Sequence, residues 1–212
     1  MNIQTQYLES KLTGNKLLLT DKIVVKVCAT AMSERHWYRL AEARNIPCAN
    51  VISGTDEILV MQRLYGKKPT CHDLCGIIFR LRGIPSESPA LFQSYIDNIP
   101  DIRIKSELSK YNPTASFFHG DLSTTNIIDG KVFDPNYKNI FGNWQTDAGK
   151  AVFSFIAYEN DFQSAKHIAD LYGGKIIWLF AASEGSRVAK YNSKYNDFVL
   201  NILDIYESVP TI

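Results

Sequence analysis

Asp121, Asn126 and Asp134 are an acid, an amide and a second acid set five and eight residues apart, in and just after the segment His119-Gly120-Asp121-Leu122-Ser123-Thr124-Thr125-Asn126. Oxygen donors of this kind hold a hard cation such as Mg²⁺. A carboxylate beside them can orient a hydroxyl and take its proton. Those are the demands of phosphoryl transfer, which asks the protein for positioning and charge rather than covalent chemistry. Asp121 is the candidate base, and Asn126 and Asp134 are the candidate metal ligands. Taken singly, Asp and Asn serve as readily to cap a turn or a helix. Their setting decides. Strand-like Ser116-Phe117-Phe118 leads into the loop, and Ile127-Ile128 and Val132-Phe133 flank Asp129-Gly130-Lys131. Asp-Gly tolerates positive φ and so signals a short hairpin, which brings the loop and the second acid together at its open end. His119 reads as a brace for the loop, because no partner that would make it a base is evident.

The elements around this segment fall into two groups. Leu17 to Val27 reads as two strands joined at Thr20-Asp21-Lys22. Met32 to Ala43 has Trp37, Leu40 and Ala41 at helical spacing, with Ser33 as the expected N-cap and Asn45-Ile46-Pro47 as the break. Val51-Ile52 and Ile58 to Met61 form a second strand pair around Ser53-Gly54-Thr55-Asp56. Beyond Tyr65-Gly66 the pattern turns helical: His72 to Arg82, Pro89 to Ile99, Ile104 to Tyr111, Gly149 to Tyr158, Asp161 to Tyr172, the apolar stretch Ile176 to Ala182, and Lys190 to Tyr206. The expectation is an α+β chain of two lobes, 1–64 strand-rich with one helix and 65–212 mainly helical, hinged near residues 62–66.

With Lys+Arg 23 against Asp+Glu 22, the net charge of +1 carries no electrostatic footprint for nucleic acid or an anionic membrane. The N-terminus lacks the pattern of a signal peptide, and Ile176 to Ala182 is too short to span a bilayer. A cytoplasmic protein is expected. The four cysteines, Cys28, Cys48, Cys71 and Cys75, are too scattered for a disulfide framework. Cys71-His72-Asp73-Leu74-Cys75 has no second ligand pair at zinc-finger or ribbon spacing, so on a helix the two thiols read as core.

The loop resembles the catalytic core of the aminoglycoside phosphotransferase and choline kinase-like superfamily, part of the protein kinase-like group, whose loop reads H-G-D-x-x-x-x-N. Protein kinases normally carry Arg where this chain has Gly120. The likeness runs from about residue 9 to about residue 160 and is specific around 119–135. Val24-Val25-Lys26-Val27 is similar to the strand bearing the nucleotide lysine. Glu34, upstream of Ile46-Pro47-Cys48-Ala49, is similar to the helix glutamate ahead of the "IPxP" turn. Leu59 to Gly66 resembles the hinge "LLMERLPG", and Asp147 sits where relatives brace the loop.

The resemblance implies an ATP- and Mg²⁺-dependent kinase. Lys26 would neutralise the α- and β-phosphates, held by an ion pair with Glu34. Adenine would meet backbone groups around Gln62 and Leu64, with Met61 lining the pocket. Gly14, in Leu12-Thr13-Gly14-Asn15-Lys16, would supply a much-reduced phosphate loop. The expected acceptor is a hydroxyl of a small molecule of sugar, aminoglycoside or amino-alcohol type, with Glu159 and Asp161 as candidate acceptor contacts. A protein serine or threonine as acceptor, a nucleotide-binding pseudokinase, and a metallohydrolase built on His119, Asp121, Asp129 and Asp134 are the rival readings.

Overall fold

A computed structural model describes residues 5–9, 14–84, 92–112, 115–136 and 141–210. Five antiparallel strands form one sheet in the order β1-β2-β3-β5-β4, with β1 Gln6–Glu9, β2 Lys16–Leu19, β3 Ile23–Val27, β4 Val51–Gly54 and β5 Ile58–Gln62. Threonines close the β2–β3 and β4–β5 hairpins. The Thr20 hydroxyl accepts from the Lys22 and Ile23 amides, and that of Thr55 from Glu57 and Ile58. Such side-chain bonds fix a turn without glycine.

Helix α1, Ala31–Ala43, crosses this sheet between β3 and β4. It starts after Thr30, so Ser33 lies inside the first turn and is not the expected cap; no side chain caps this end. The backbone bond from the Glu34 amide to the Thr30 carbonyl starts the helix instead. Asn45 then takes a left-handed φ of 56° and ends it before Pro47.

The rest is mainly helical: α2 Cys71–Arg82, α3 Phe92–Asp97, α4 Ile102–Leu108, α5 Trp144–Ser154, α6 Phe162–Tyr172, α7 Lys175–Ala189 and α8 Asn196–Ser208. The start of the helix expected from Pro89 falls outside the described residues. Helix α5 begins five residues before Gly149, because the Asn143 side chain caps it by accepting from the Gln145 amide. Helix α8 starts six residues after Lys190, because Asn192 first caps a short 3₁₀ turn at Ser193–Tyr195.

Helix α7 is longer than its apolar stretch and is the centre of the lobe, with every residue from Ile177 to Ser186 buried. It approaches α5 closely at Gly149, where an added Cβ would lie 2.4 Å from the Phe180 Cβ and 2.7 Å from its backbone carbon. The sequence pattern misses the extent of α7 because buried Ser183, Glu184 and Ser186 interrupt its apolar run.

Two short ribbons carry the candidate site. Strand β6 Ala115–Phe117 pairs with β9 Phe141–Asn143, and β7 Ile127–Ile128 pairs with β8 Lys131–Val132 around Asp129-Gly130. Both turn residues take positive φ, 50° and 70°, as a two-residue hairpin of the I′ type requires. This hairpin is tied to the first lobe. The Ala49 amide donates to the Val132 carbonyl at 2.9 Å, and the Val132 amide donates to Pro47 at 3.0 Å. Trp37 of α1 also stacks on Phe117 and donates to the Phe118 carbonyl.

Candidate active site

A cleft of about 1120 Å³ lies between the sheet and the helical lobe, and Lys26, Glu34, Asp121 and Asp134 all line it. Lys26 points from β3 toward α1. Its ammonium donates to both Glu34 oxygens at 2.7 and 2.9 Å and to Asp134 Oδ1 at 2.6 Å. Lys26 is 5% exposed and Glu34 is fully buried. Burial acts to lower the lysine pKa, but Asp134 and Glu34 together outweigh it and hold it above the usual value. Burial raises Glu34, with Lys26 opposing. A first-turn acid and a strand lysine that would otherwise face solvent are therefore one buried unit.

The loop from His119 to Asn126 has a different support. One Asp147 oxygen accepts from the His119 amide at 2.6 Å and the other from the Gly120 amide at 2.8 Å. Burial pushes the Asp147 carboxyl up to about 7, with those amide bonds acting the other way. His119 is fully buried. Because its Nδ1 accepts from the Asp121 amide, its Nε2 carries the proton and donates to the Phe133 carbonyl at 3.0 Å. Burial holds its pKa down to about 4. It is a neutral brace, as its lack of a partner suggested.

Gly120 has φ 77°, and an added Cβ would lie 2.6 Å from the Asn136 Cβ. The Arg of protein kinases does not fit this backbone, where Asn136 also donates to the His119 carbonyl.

Asp121 is half-exposed and faces the cleft. Asn126 Nδ2 donates to its backbone oxygen and to Oδ2 at 2.9 and 2.8 Å, leaving the Asn126 amide oxygen as the atom that can ligate. Asp134 takes φ 56° and donates its amide to the Tyr38 hydroxyl of α1 at 3.0 Å. Its side chain is 53% exposed, so an oxygen other than the one on Lys26 is open to the cleft. Amide and carboxylate oxygens are the donors Mg²⁺ prefers, so Asn126 and Asp134 fit that ion.

Sequence reasoning missed Lys150. Its ammonium pairs with Asp121 Oδ1 and lies 3.8 Å from Glu184. Burial would lower its pKa, but Glu184 and Asp121 raise it above the ordinary value. It also missed Ser154, whose hydroxyl accepts from the Thr124 amide at 3.1 Å. Asp147, Lys150 and Ser154 are one face of α5, spaced three and four residues apart. That spacing was the available signal, though the expected helix start at Gly149 left Asp147 off the face.

At the far end of the cleft Met61, Gln62 and Leu64 line the pocket with Val24, Ala49 and Phe133. The Gln62 amide already donates to the Asn50 carbonyl, and that of Arg63 to Lys22. Gly14 takes φ 68°, and its neighbour Asn15 reaches the lining; residues 10–13 fall outside the described set. The acids expected to meet an acceptor do other work. Glu159 pairs with Lys68 at 2.7 Å, and Asp161 caps α6 by accepting from Ser164. In the Asp129-Gly130 turn, Asp129 belongs to hairpin geometry, with Gly66 packed on its side chain.

Solved structures share this fold. A choline/ethanolamine kinase family protein from Mesorhizobium loti matches with a TM-score of 0.61 at 13% identity, over 99% of this chain and 89% of its own. The chain therefore has a kinase-like fold. A putative fructosamine-3-kinase from Haemophilus somnus 129PT matches at 0.61 with 16% identity, over 97% of this chain and 92% of its own. An ADP-bound aminoglycoside phosphotransferase, APH(2″)-Ib, matches at 0.53 with 16% identity, over 97% and 86%. No protein-family model and no curated protein sequence matches the chain. The two-lobe α+β architecture expected from the sequence is thus the observed one.

Proposed function

We propose that this kinase-like chain transfers the γ-phosphoryl group of ATP to a hydroxyl of a small molecule. The observation that carries the reading is the Lys26 ammonium buried between Glu34 of the first lobe and Asp134 beyond the catalytic hairpin. A structural lysine gains little from two acids in a cleft. A lysine that must stand beside polyphosphate needs to be held there.

In this reading Lys26 offsets charge on the α- and β-phosphates, and Glu34 fixes its direction. The Gln62 carbonyl and the Leu64 amide meet the adenine edge, since the Gln62 amide is committed to Asn50. Asn126 and Asp134 hold Mg²⁺, which when bound neutralises charge across the β- and γ-phosphates. Asp121 orients the acceptor hydroxyl and takes its proton as the new O–P bond forms and the bond to ADP breaks. Lys150 keeps Asp121 turned into the cleft and places a positive charge beside the transferred group.

The described residues at the acceptor end are Ser94, Tyr95, Asn98, Thr146, Lys150 and Arg187. Buried Glu184 is already held by Arg187 at 2.8 Å and Tyr95 at 3.1 Å. The acids Asp121 and Glu184 and the cations Lys150 and Arg187 pair with one another, so among the described residues no unpaired charge faces this end. Such a lining suits a neutral polyhydroxylated acceptor, sugar-like in chemistry, better than a polycation.

The test is ADP release from MgATP across a panel of polyols, sugars, amino alcohols, aminoglycosides and peptides. A neutral sugar or polyol is expected to stimulate release. Asp121→Asn and Asp134→Asn are expected to lower turnover by roughly 10²-fold or more with melting temperature retained. Near-normal turnover in either variant would sink the assignment, and labelling of peptides alone would move the acceptor to protein.

A further inference from the structure

A second cluster of ligand-type side chains lies in the helical lobe, apart from the cleft. Cys71 is the first residue of α2, Cys75 follows one turn later, and His167 lies on α6, 92 residues beyond Cys75. The two sulfurs are 4.0 Å apart. One donor atom from each of the three residues lies within 4.8 Å of both others, and no other such group of three occurs among the described residues. We propose that Cys71, Cys75 and His167 form a site for a thiophilic divalent cation, Zn²⁺ in class, that joins α2 to α6.

The spacing fits the ion. Zn–S bonds of about 2.3 Å and Zn–N bonds of about 2.0 Å at tetrahedral angles put sulfurs about 3.8 Å apart and each about 3.5 Å from the nitrogen. The sulfur pair is already within a few tenths of an ångström of that. The imidazole is on an exposed residue, with a ring nitrogen within 4.8 Å of both sulfurs. Cys75 is buried and Cys71 half-buried, on the i, i+4 face that α2 turns toward α6. The Cys71 sulfur also lies 3.5 Å from the Ser164 carbonyl on the first turn of α6.

Two i, i+4 thiols packed as core need no imidazole across the helix interface. Two thiolates and an imidazole make three protein ligands, and the exposed His167 side leaves the fourth position to water. Sulfur donors select Zn²⁺ over Mg²⁺, so this site and the oxygen site of the cleft take different ions. Binding displaces the two thiol protons and forms two Zn–S bonds and one Zn–N bond. The sequence reading set aside Cys71 and Cys75 for want of a second ligand pair. Only the packing of α6 on α2 supplies the third donor.

The experiment uses the full, reduced, metal-free chain titrated with Co²⁺ and then Zn²⁺. One equivalent of Co²⁺ is expected to give thiolate-to-metal charge-transfer absorption with tetrahedral visible bands, abolished by Zn²⁺ and unaffected by excess Mg²⁺. Oxygen ligands in the cleft cannot produce the charge-transfer signal.

His167→Ala, an exposed change that leaves the fold intact, is expected to weaken Zn²⁺ binding by more than roughly tenfold, since loss of even an outer-shell partner costs about 10–100-fold. Cys71→Ser should lose most of the charge-transfer intensity, and Cys48→Ser should leave it unchanged. Zn²⁺ should raise the melting temperature of the parent chain and not that of His167→Ala. Absence of the charge-transfer band in the parent chain, or equal Zn²⁺ affinity in His167→Ala, would overturn the proposal. Neither outcome bears on ATP turnover.

Discussion

The two halves of the cleft are held by different physics. On the sheet side, charge holds charge: Lys26 sits between buried Glu34 and half-exposed Asp134 at ion-pair distances. On the catalytic-loop side, a helix face holds backbone. Asp147 and Ser154 of α5 take amide hydrogens from His119, Gly120 and Thr124, while Lys150 takes the Asp121 side chain. The first arrangement concentrates its energy in one buried cluster. The second spreads it over three amide bonds to buried Asp147 and Ser154 and one ion pair at half-exposed Asp121, each bond worth about 1–3 kcal/mol net. The sheet side should therefore fail abruptly when buried Lys26 or Glu34 goes, and the loop side by degrees.

The largest effect expected from breaking this contrast is Lys26→Met. It leaves Glu34 fully buried without its cation, and removing one partner of a buried pair costs about 3–5 kcal/mol. Chemical denaturation should show that loss together with weakened ATP binding. A loss under about 1 kcal/mol would mean that the cluster is not the keystone described here.

A slightly smaller effect tests the loop side through pH. His119 has its folded-state pKa lowered from 6.5 to about 4, so its contribution to stability is complete above pH 6.5 and is lost as pH falls through 4. That shift corresponds to about 3 kcal/mol. His119→Asn should flatten the difference between stability curves in this window relative to the parent chain. Parallel acid limbs would refute a buried neutral imidazole.

Lys150→Met should be mildest for stability, about 1–2 kcal/mol, because Glu184 keeps Arg187 and Asp121 is half-exposed. It sharpens the contrast kinetically. Turnover should fall while KM for ATP stays unchanged, the opposite of a sheet-side lesion. A raised KM for ATP with normal kcat would move Lys150 to the other half of the cleft.

How much of this was legible beforehand follows the same division. Asp121, Asn126 and Asp134 could be proposed because the loop and its hairpin carry their own pattern, and Lys26 and Glu34 only through the resemblance that this loop brought. Lys150 and Ser154 could not: the expected helix from Gly149 already held both, and only packing lays that face of α5 under the loop. Glu159 and Asp161 show the converse. An acid near a site in sequence is free to turn away, and these two serve Lys68 and the start of α6.

The sequence by itself determined the local chemistry: the order of the strands and helices, the loop with its acid and amide, and the turn that carries Asp134 back to it. These depend on periodicity and backbone preference within a few residues, which composition encodes directly. Tertiary structure alone decided which charges meet. It sank Lys26 between acids 8 and 108 residues away, laid one face of α5 under the loop, and set His167 beside Cys71 and Cys75. The physical reason is that ion pairing, buried hydrogen bonding and ligand clustering depend on separations in space. Packing sets those separations, above all the close approach of α5 to α7 at Gly149.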